Sequence, residues 1–185
     1  DPYARSHPLS RDRIRAVEAF AATYGGQATP NATTEYWYAR ARDKLSAFTR
    51  SPKWTLSRAS EGPTEDITLM RQAIAYHRNS NTKRAIKAMN GAIALRPDDP
   101  FFHELMGQIL LESRQTKKAI TSYKRAVDPA PTNALILGSY GRALLADGQY
   151  KAALSAQERA RSRDFRDSRL LRDMSVAYAK TGQNG

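Results

Sequence analysis

The chain has 185 residues, 41% of them hydrophobic and 26% charged, with a formal net charge of +12. This composition excludes wholesale disorder, and no apolar run reaches the roughly 18–20 residues that span a bilayer. Cysteine is absent, which excludes disulfides and thiolate metal sites and leaves the compartment open. The positive excess is spread evenly along the chain, so a general attraction to acidic partners follows and a dedicated nucleic-acid site does not. The first residue is Asp1, with neither an initiator methionine nor a basic-then-apolar leader. The sequence therefore reads as an excised or processed piece.

Residues 1–9 read as an extended opening segment, because Pro2 and Pro8 bias their predecessors away from helix. Ser10 is a good cap for a first helix with Ile14, Val17, Phe20, Ala21 and Tyr24 on one face. Gly25-Gly26 stops it. Thr33 or Thr34 caps a second helix, about residues 34–50, carrying Tyr36, Tyr38, Ala39, Leu45 and Phe48, and Ser51-Pro52 ends it. Residues 51–63 are the least regular part, with Trp54 and Leu56 packing a short turn. The break at Glu61-Gly62-Pro63 divides residues 1–63 from a second domain, 64–185.

From Asp66 the chain repeats every 34 residues, over 66–99, 100–133 and 134–167. The eighth position holds Ala73, Gly107 and Gly141, the twentieth Ala85, Ala119 and Ala153, and the twenty-seventh Ala92, Ala126 and Ala160. Small residues stand where helix backbones approach, and large ones (Met89 and Tyr123 at position twenty-four) fill the gaps. This is the tetratricopeptide spacing. It predicts an all-α fold, a right-handed superhelix of helix hairpins preceded by two linking helices. Asp99 caps and Pro100 opens the helix that follows, Thr116 starts its partner, and Thr132 and Asp167 can cap the next first helices. Asn79-Ser80-Asn81 and Asp147-Gly148 are turns inside repeats. A fourth unit contributes one helix, 168–181, with Leu171, Met174 and Tyr178 on one face and Gly182 at its turn. Its polar outer face consists of Arg169, Arg172, Asp173 and Lys180. Gln157 replaces an aromatic and Phe165 a proline, which predicts looser or different packing at the C-terminal end of the third repeat. No segment alternates with period two, so no sheet is expected.

Catalytic motifs are absent. His103-Glu104 begins like a zincin helix, but Gly107 stands where H-E-x-x-H needs its second histidine, and position four of a repeat is a packing position. There is no G-x-S-x-G elbow and no phosphate-binding glycine loop. Asn31-Ala32-Thr33 is a three-residue glycosylation match of little weight. The chain reads as a non-enzyme that binds proteins or peptides.

In stacked repeats the first helices form the concave wall, and positions two, five, nine and twelve face it. These are Ile67, Met70, Ile74 and His77 in the first repeat, then Phe101, Glu104, Gln108 and Leu111 in the second. Leu135, Gly138, Arg142 and Leu145 follow, then Arg169, Arg172 and Val176. The groove is expected to be apolar at its start and basic at its end, each apolar member serving equally well in inter-repeat packing. Grooves that clamp a terminal carboxylate carry Lys or Arg and Asn where Met70 and Ile74 stand, which argues against that mode here.

Three segments carry a further resemblance. FFHELMGQILLE, residues 101–112, resembles the repeat region of bacterial periplasmic zinc metalloproteases of the BepA type. SHPLSRDRI, 6–14, resembles the element that closes the protease domain there, and EYWYARARDKLSAF, 35–48, the linking helix after it. The resemblance implies a non-catalytic C-terminal region of such a protease, working in the periplasm in outer-membrane protein quality control. It would recruit client or assembly-machinery proteins to an upstream protease domain on the same chain. The zinc would belong to that upstream domain, with no cofactor in this chain and His7 the one residue near the metal. The alternative is a free-standing adaptor without a protease.

Overall fold

The computed structural model describes residues 10–24, 31–164 and 166–182. His7, Gly25-Gly26, Phe165 and the side chain of Ser10 lie outside them. Ten α-helices occur among the described residues, and no strand: α1 (Ser10–Tyr24), α2 (Ala32–Thr49), α3 (Pro52–Ser57), α4 (Glu65–Arg78), α5 (Thr82–Leu95), α6 (Pro100–Glu112), α7 (Thr116–Val127), α8 (Ala134–Ala146), α9 (Tyr150–Arg161) and α10 (Ser168–Thr181). The chain divides into two compact units between Tyr38 and Ala39, within α2, so Gly62-Pro63 falls inside the second unit. In the first unit, Ile14, Val17 and Phe20 of α1 are exposed, and the Tyr36 and Trp37 rings meet edge-on at 5.4 Å.

Short polar side chains set the helix starts, because each accepts a hydrogen bond from a backbone N–H that the first turn leaves without a partner. Asp99 accepts from the N–H groups of Phe101 and Phe102 at 2.9 and 3.1 Å, and Asp167 from those of Arg169 and Leu170. Two caps differ from expectation by one to three positions. Asn31, not a threonine, caps α2 by accepting from Thr34 N–H. Asn133, not Thr132, caps α8, because a turn from Ala130 to Asn133 places the extended backbone at the asparagine. The stretch read as irregular is also ordered. Ser51 caps α3 with Pro52 in its first turn, and a 3-10 turn at Ala59–Glu61 follows. Thr55 and Ala59 are the residues this segment buries, while the Trp54 ring meets the guanidinium groups of Arg50 and Arg58 at 5.4 and 5.5 Å.

The repeat helices pair as α4–α5, α6–α7 and α8–α9, and each second helix packs on the first helix of the next unit. The first helices α6, α8 and α10 also touch in succession, forming one wall. The turns of the three hairpins place Ser80, Arg114 and Gly148 in the left-handed region, and the C-cap of α10 places Gly182 there, all spaced at the repeat period. Only the last two are glycine, so the geometry belongs to the turn and the glycine merely makes it cheaper.

The small-residue columns are buried as expected: Ala73, Ala85, Ala92, Ala119, Ala126, Ala153 and Ala160 are all fully covered. At the eighth position of the second repeat, a Cβ on Gly107 would stand 2.9 Å from the Tyr123 ring. At the equivalent place, a Cβ on Gly141 would stand 2.6 Å from Gln157 Cγ. Of the two expected outcomes, the third repeat is packed differently at Gln157 and not loosened there. The cost is electrostatic, since Gln157 is fully buried and neither amide atom meets a protein partner. Gln157→Met keeps the length of the side chain and removes two desolvated polar atoms. It is expected to raise stability by about 1–2 kcal/mol in urea unfolding; a loss of stability would show that the amide is satisfied.

In α10, Leu170, Met174 and Ala177 pack against Leu137, Leu154 and Ala160. The expected stripe is therefore rotated: Leu170 is 4% exposed and Leu171 42%. Position four of a repeat faces that repeat's own second helix, and no described helix lies on that side of α10.

Candidate functional site

The concave wall has a covered half and an open half. Within the second unit, Arg40 of α2 forms a two-pronged ion pair with Asp99 at the start of α6, one arm at 2.8 Å, and both side chains are buried. The same guanidinium lies 3.9 Å from the centre of the Phe102 ring, with Phe101 at 5.9 Å. Two turns further along α2, Arg78 at the end of α4 donates to the carbonyls of Ala47, at 2.9 Å, and Arg50. The segment 40–50 therefore crosses from the beginning of α6 to the end of α4. It buries Arg40, Asp43 and Ala47, which share one helical face.

Ile67, Met70 and Ile74, expected along the apolar start of the groove, are buried to 1% or less. They are packing residues, and the groove does not begin with them. His77 is not open groove lining either: its Nε2 meets Glu112 Oε2 at 2.6 Å, joining α4 to α6. Phe101 is half-buried beneath Arg40. His103 is scaffold, as read from the repeat register, its ring donating to the Pro97 carbonyl at 2.7 Å.

Beyond α2 the wall opens into a cleft of about 520 Å³. From the expected set it brings together Glu104, Gln108 and Leu111 of α6, Leu135 and Arg142 of α8, and Arg169 of α10. Arg172 is exposed on α10 outside the cleft lining. The structure adds Lys44, Glu112, Tyr123, Ser139 and Ala146, which sequence reasoning missed. Ser139 and Ala146 lie one helical position from residues in the expected columns, so a wider stripe would have included them. Lys44 had no such signal, because its place depends on where α2 crosses. The size of the cleft suits a few side chains of a ligand. Among the described residues no cluster of three or more His, Cys, Asp or Glu side chains could hold a metal ion.

The floor is polar and mostly neutralised. Glu104 is buried, with Lys44 Nζ 3.5 Å from Oε2. Burial pushes its carboxyl above the usual carboxylate range, and the Lys44 charge only partly offsets this. Burial likewise pushes the Tyr123 phenol up, reinforced by the Glu104 charge. Arg142 Nε donates to Asp173 at 2.8 Å, and Gln108 donates to Glu112 at 2.9 Å.

A raised carboxyl makes a defined prediction. As pH rises from the ordinary carboxylate range, the unfolded chain releases the Glu104 proton first while the folded chain retains it. Stability therefore falls across that window and stays reduced above it. Glu104→Gln should accordingly be more stable than the parent at pH 7, with the gain disappearing near pH 4, in urea unfolding at the two pH values. An equal effect at both would place the carboxyl outside the buried floor.

The tetratricopeptide repeat model matches residues 70–134 and 104–169, more than half of the chain. No curated protein sequence matches it. Among solved structures, the chain is similar to MamA (residues 41 to end) from Desulfovibrio magneticus RS-1, at 19% identity and a TM-score of 0.65, covering 80% of this chain and 86% of that one. The Sgt2 TPR domain from Aspergillus fumigatus aligns at 20% identity and a TM-score of 0.61, over 65% and 82% of the two chains. The first TPR of Spaghetti (RPAP3), bound to the HSP90 peptide SRMEEVD, aligns at 13% identity and a TM-score of 0.61, over 64% and 96%. At these identities the likenesses speak to the fold alone. With the repeat register, the hairpin pairing and the family match in agreement, the chain belongs to the tetratricopeptide repeat family.

Proposed function

We propose that the chain is a non-catalytic docking module that takes a segment of a partner protein in the open half of its groove. The observation that carries this reading is the cleft of about 520 Å³ walled by α6, α8 and α10, three successive first helices, beside a half already covered by α2. Leu135 is a large apolar side chain 51% exposed on that wall. Leu135→Asp should leave the fold intact and abolish partner binding. Retained binding in that variant, measured by titration of the full chain, would move the docking surface elsewhere.

The ordered resemblance of residues 6–14, 35–48 and 101–112 supports a finer reading, in which the module lies downstream of a zinc metalloprotease domain in the periplasm. There it would raise the local concentration of client or assembly-machinery proteins beside the catalytic domain. The zinc would be held by the upstream domain. A free-standing adaptor would use the same cleft, and the family match, confined to residues 70–169, suits both. An H-E-x-x-H helix encoded upstream of residue 1 supports the protease reading, and its absence there sinks it.

A further inference from the structure

The charge is divided along the cleft: at the α6 end Glu112 keeps its negative charge beside the neutral Gln108, and at the α10 end the charge without a partner is cationic. The nearby carboxylates each hold a cation or a donor. Glu104 has Lys44, Glu112 receives Gln108 and His77, Asp173 takes Arg142, and Asp167 caps α10. Arg169 and Arg172, one turn apart on α10, are exposed, and neither side chain has an ion-pair or hydrogen-bond partner among the described residues. Arg169 stands in the N-terminal turn of α10, whose backbone N–H groups Asp167 already caps. Leu135 lies beside it, and the two line both the main cleft and the small space between α8 and α10.

From this we infer that the docked segment carries an internal acidic side chain next to a large apolar one, the apolar group against Leu135 and Leu111 and the carboxylate toward Arg169 and Arg172. The inference rests on the docking reading above. The two arginines stand one turn apart along one helix face, which fits side-chain carboxylates of a segment passing through.

The test uses the full chain and a positional-scanning library of ten-residue peptides, acetylated and amidated so that no terminal charge is present. The expected result is enrichment of Asp or Glu beside Leu, Met or Phe, with Glu preferred over Gln by about tenfold or more. Arg169→Glu/Arg172→Glu should reverse the preference toward Lys and Arg. Binding that Leu135→Asp abolishes but that shows no preference for acids, or a preference for bases, overturns this inference and leaves docking standing. Selection of acids only when the C-terminus is free, or displacement of the peptides by single-stranded RNA at physiological salt, overturns it too. No binding above the Leu135→Asp background defeats the docking reading itself.

Discussion

Replacing Arg40 by alanine is expected to destabilise the second unit by about 3–5 kcal/mol. The side chains of Arg40 and Asp99 are 6% and 9% exposed, so the variant leaves a carboxylate in a poorly solvated place without its counter-ion. It also removes the guanidinium from the face of Phe102. The acid limb of the stability profile gives a second readout. Burial alone would raise the Asp99 carboxyl, but the hydrogen bonds and charge of Arg40 outweigh it and hold it below the usual value. A depressed carboxyl contributes stability above the ordinary carboxylate range and loses it as pH falls through the lowered value. In Arg40→Ala that loss should begin at higher pH. Arg40→Lys retains the charge but not the two-pronged geometry, and should recover only part of the stability. Urea unfolding measures all three effects, and a change below about 1 kcal/mol in Arg40→Ala would mean that the pair is solvated.

The second large effect belongs to Gly107. A Cβ there would meet three atoms of the Tyr123 ring at 2.9 Å, and that ring is buried, with little room to swing aside. Gly107→Val should cost roughly 3 kcal/mol, the upper end for overpacking. Because the strain is pairwise, the smaller side chain of Tyr123→Leu should recover much of it. A double-mutant cycle is then expected to show coupling of about 0.5–3 kcal/mol. Additive losses in the cycle would break the assignment of positions eight and twenty-four as facing partners. The ring is also the floor of the cleft, so the same pair joins the repeat register to the docking surface.

The repeat architecture was legible because it is written locally. The spacing of Ala73, Gly107 and Gly141, the cap at Asp99 and the left-handed turn near Gly148 each act within one or two helical turns. Periodicity amplifies them over successive units. Ser51 shows where local signals were present but unused: a cap followed by proline starts a helix, yet the scattered polar residues after it read as a loop. Leu171 failed for another reason, since its column is buried only when a second helix covers it.

The site was half legible. Column arithmetic placed Gln108, Leu111, Leu135, Arg142 and Arg169 on one cleft. It placed Ile67, Met70 and Ile74 there too, and these are packed away. What decides the difference lies outside the repeats: α3 and the 3-10 turn pack on α4, and Arg40 of α2 finds its partner at the start of α6 across 59 positions of sequence. Nothing in the periodicity of the repeats encodes that contact. The covered half of the groove narrows the docking surface to the first helices of the later units, with cationic charge at its far end.

Hydrogen–deuterium exchange of the full chain, with and without a saturating capped peptide chosen from the library, tests the docking surface most directly. Added protection is expected on the cleft-facing helices α6, α8 and α10. None is expected on α4, which α2 already reaches, or on the outer helices α5, α7 and α9. Protection concentrated on those outer helices, or along α4 as α2 is displaced, would contradict the account.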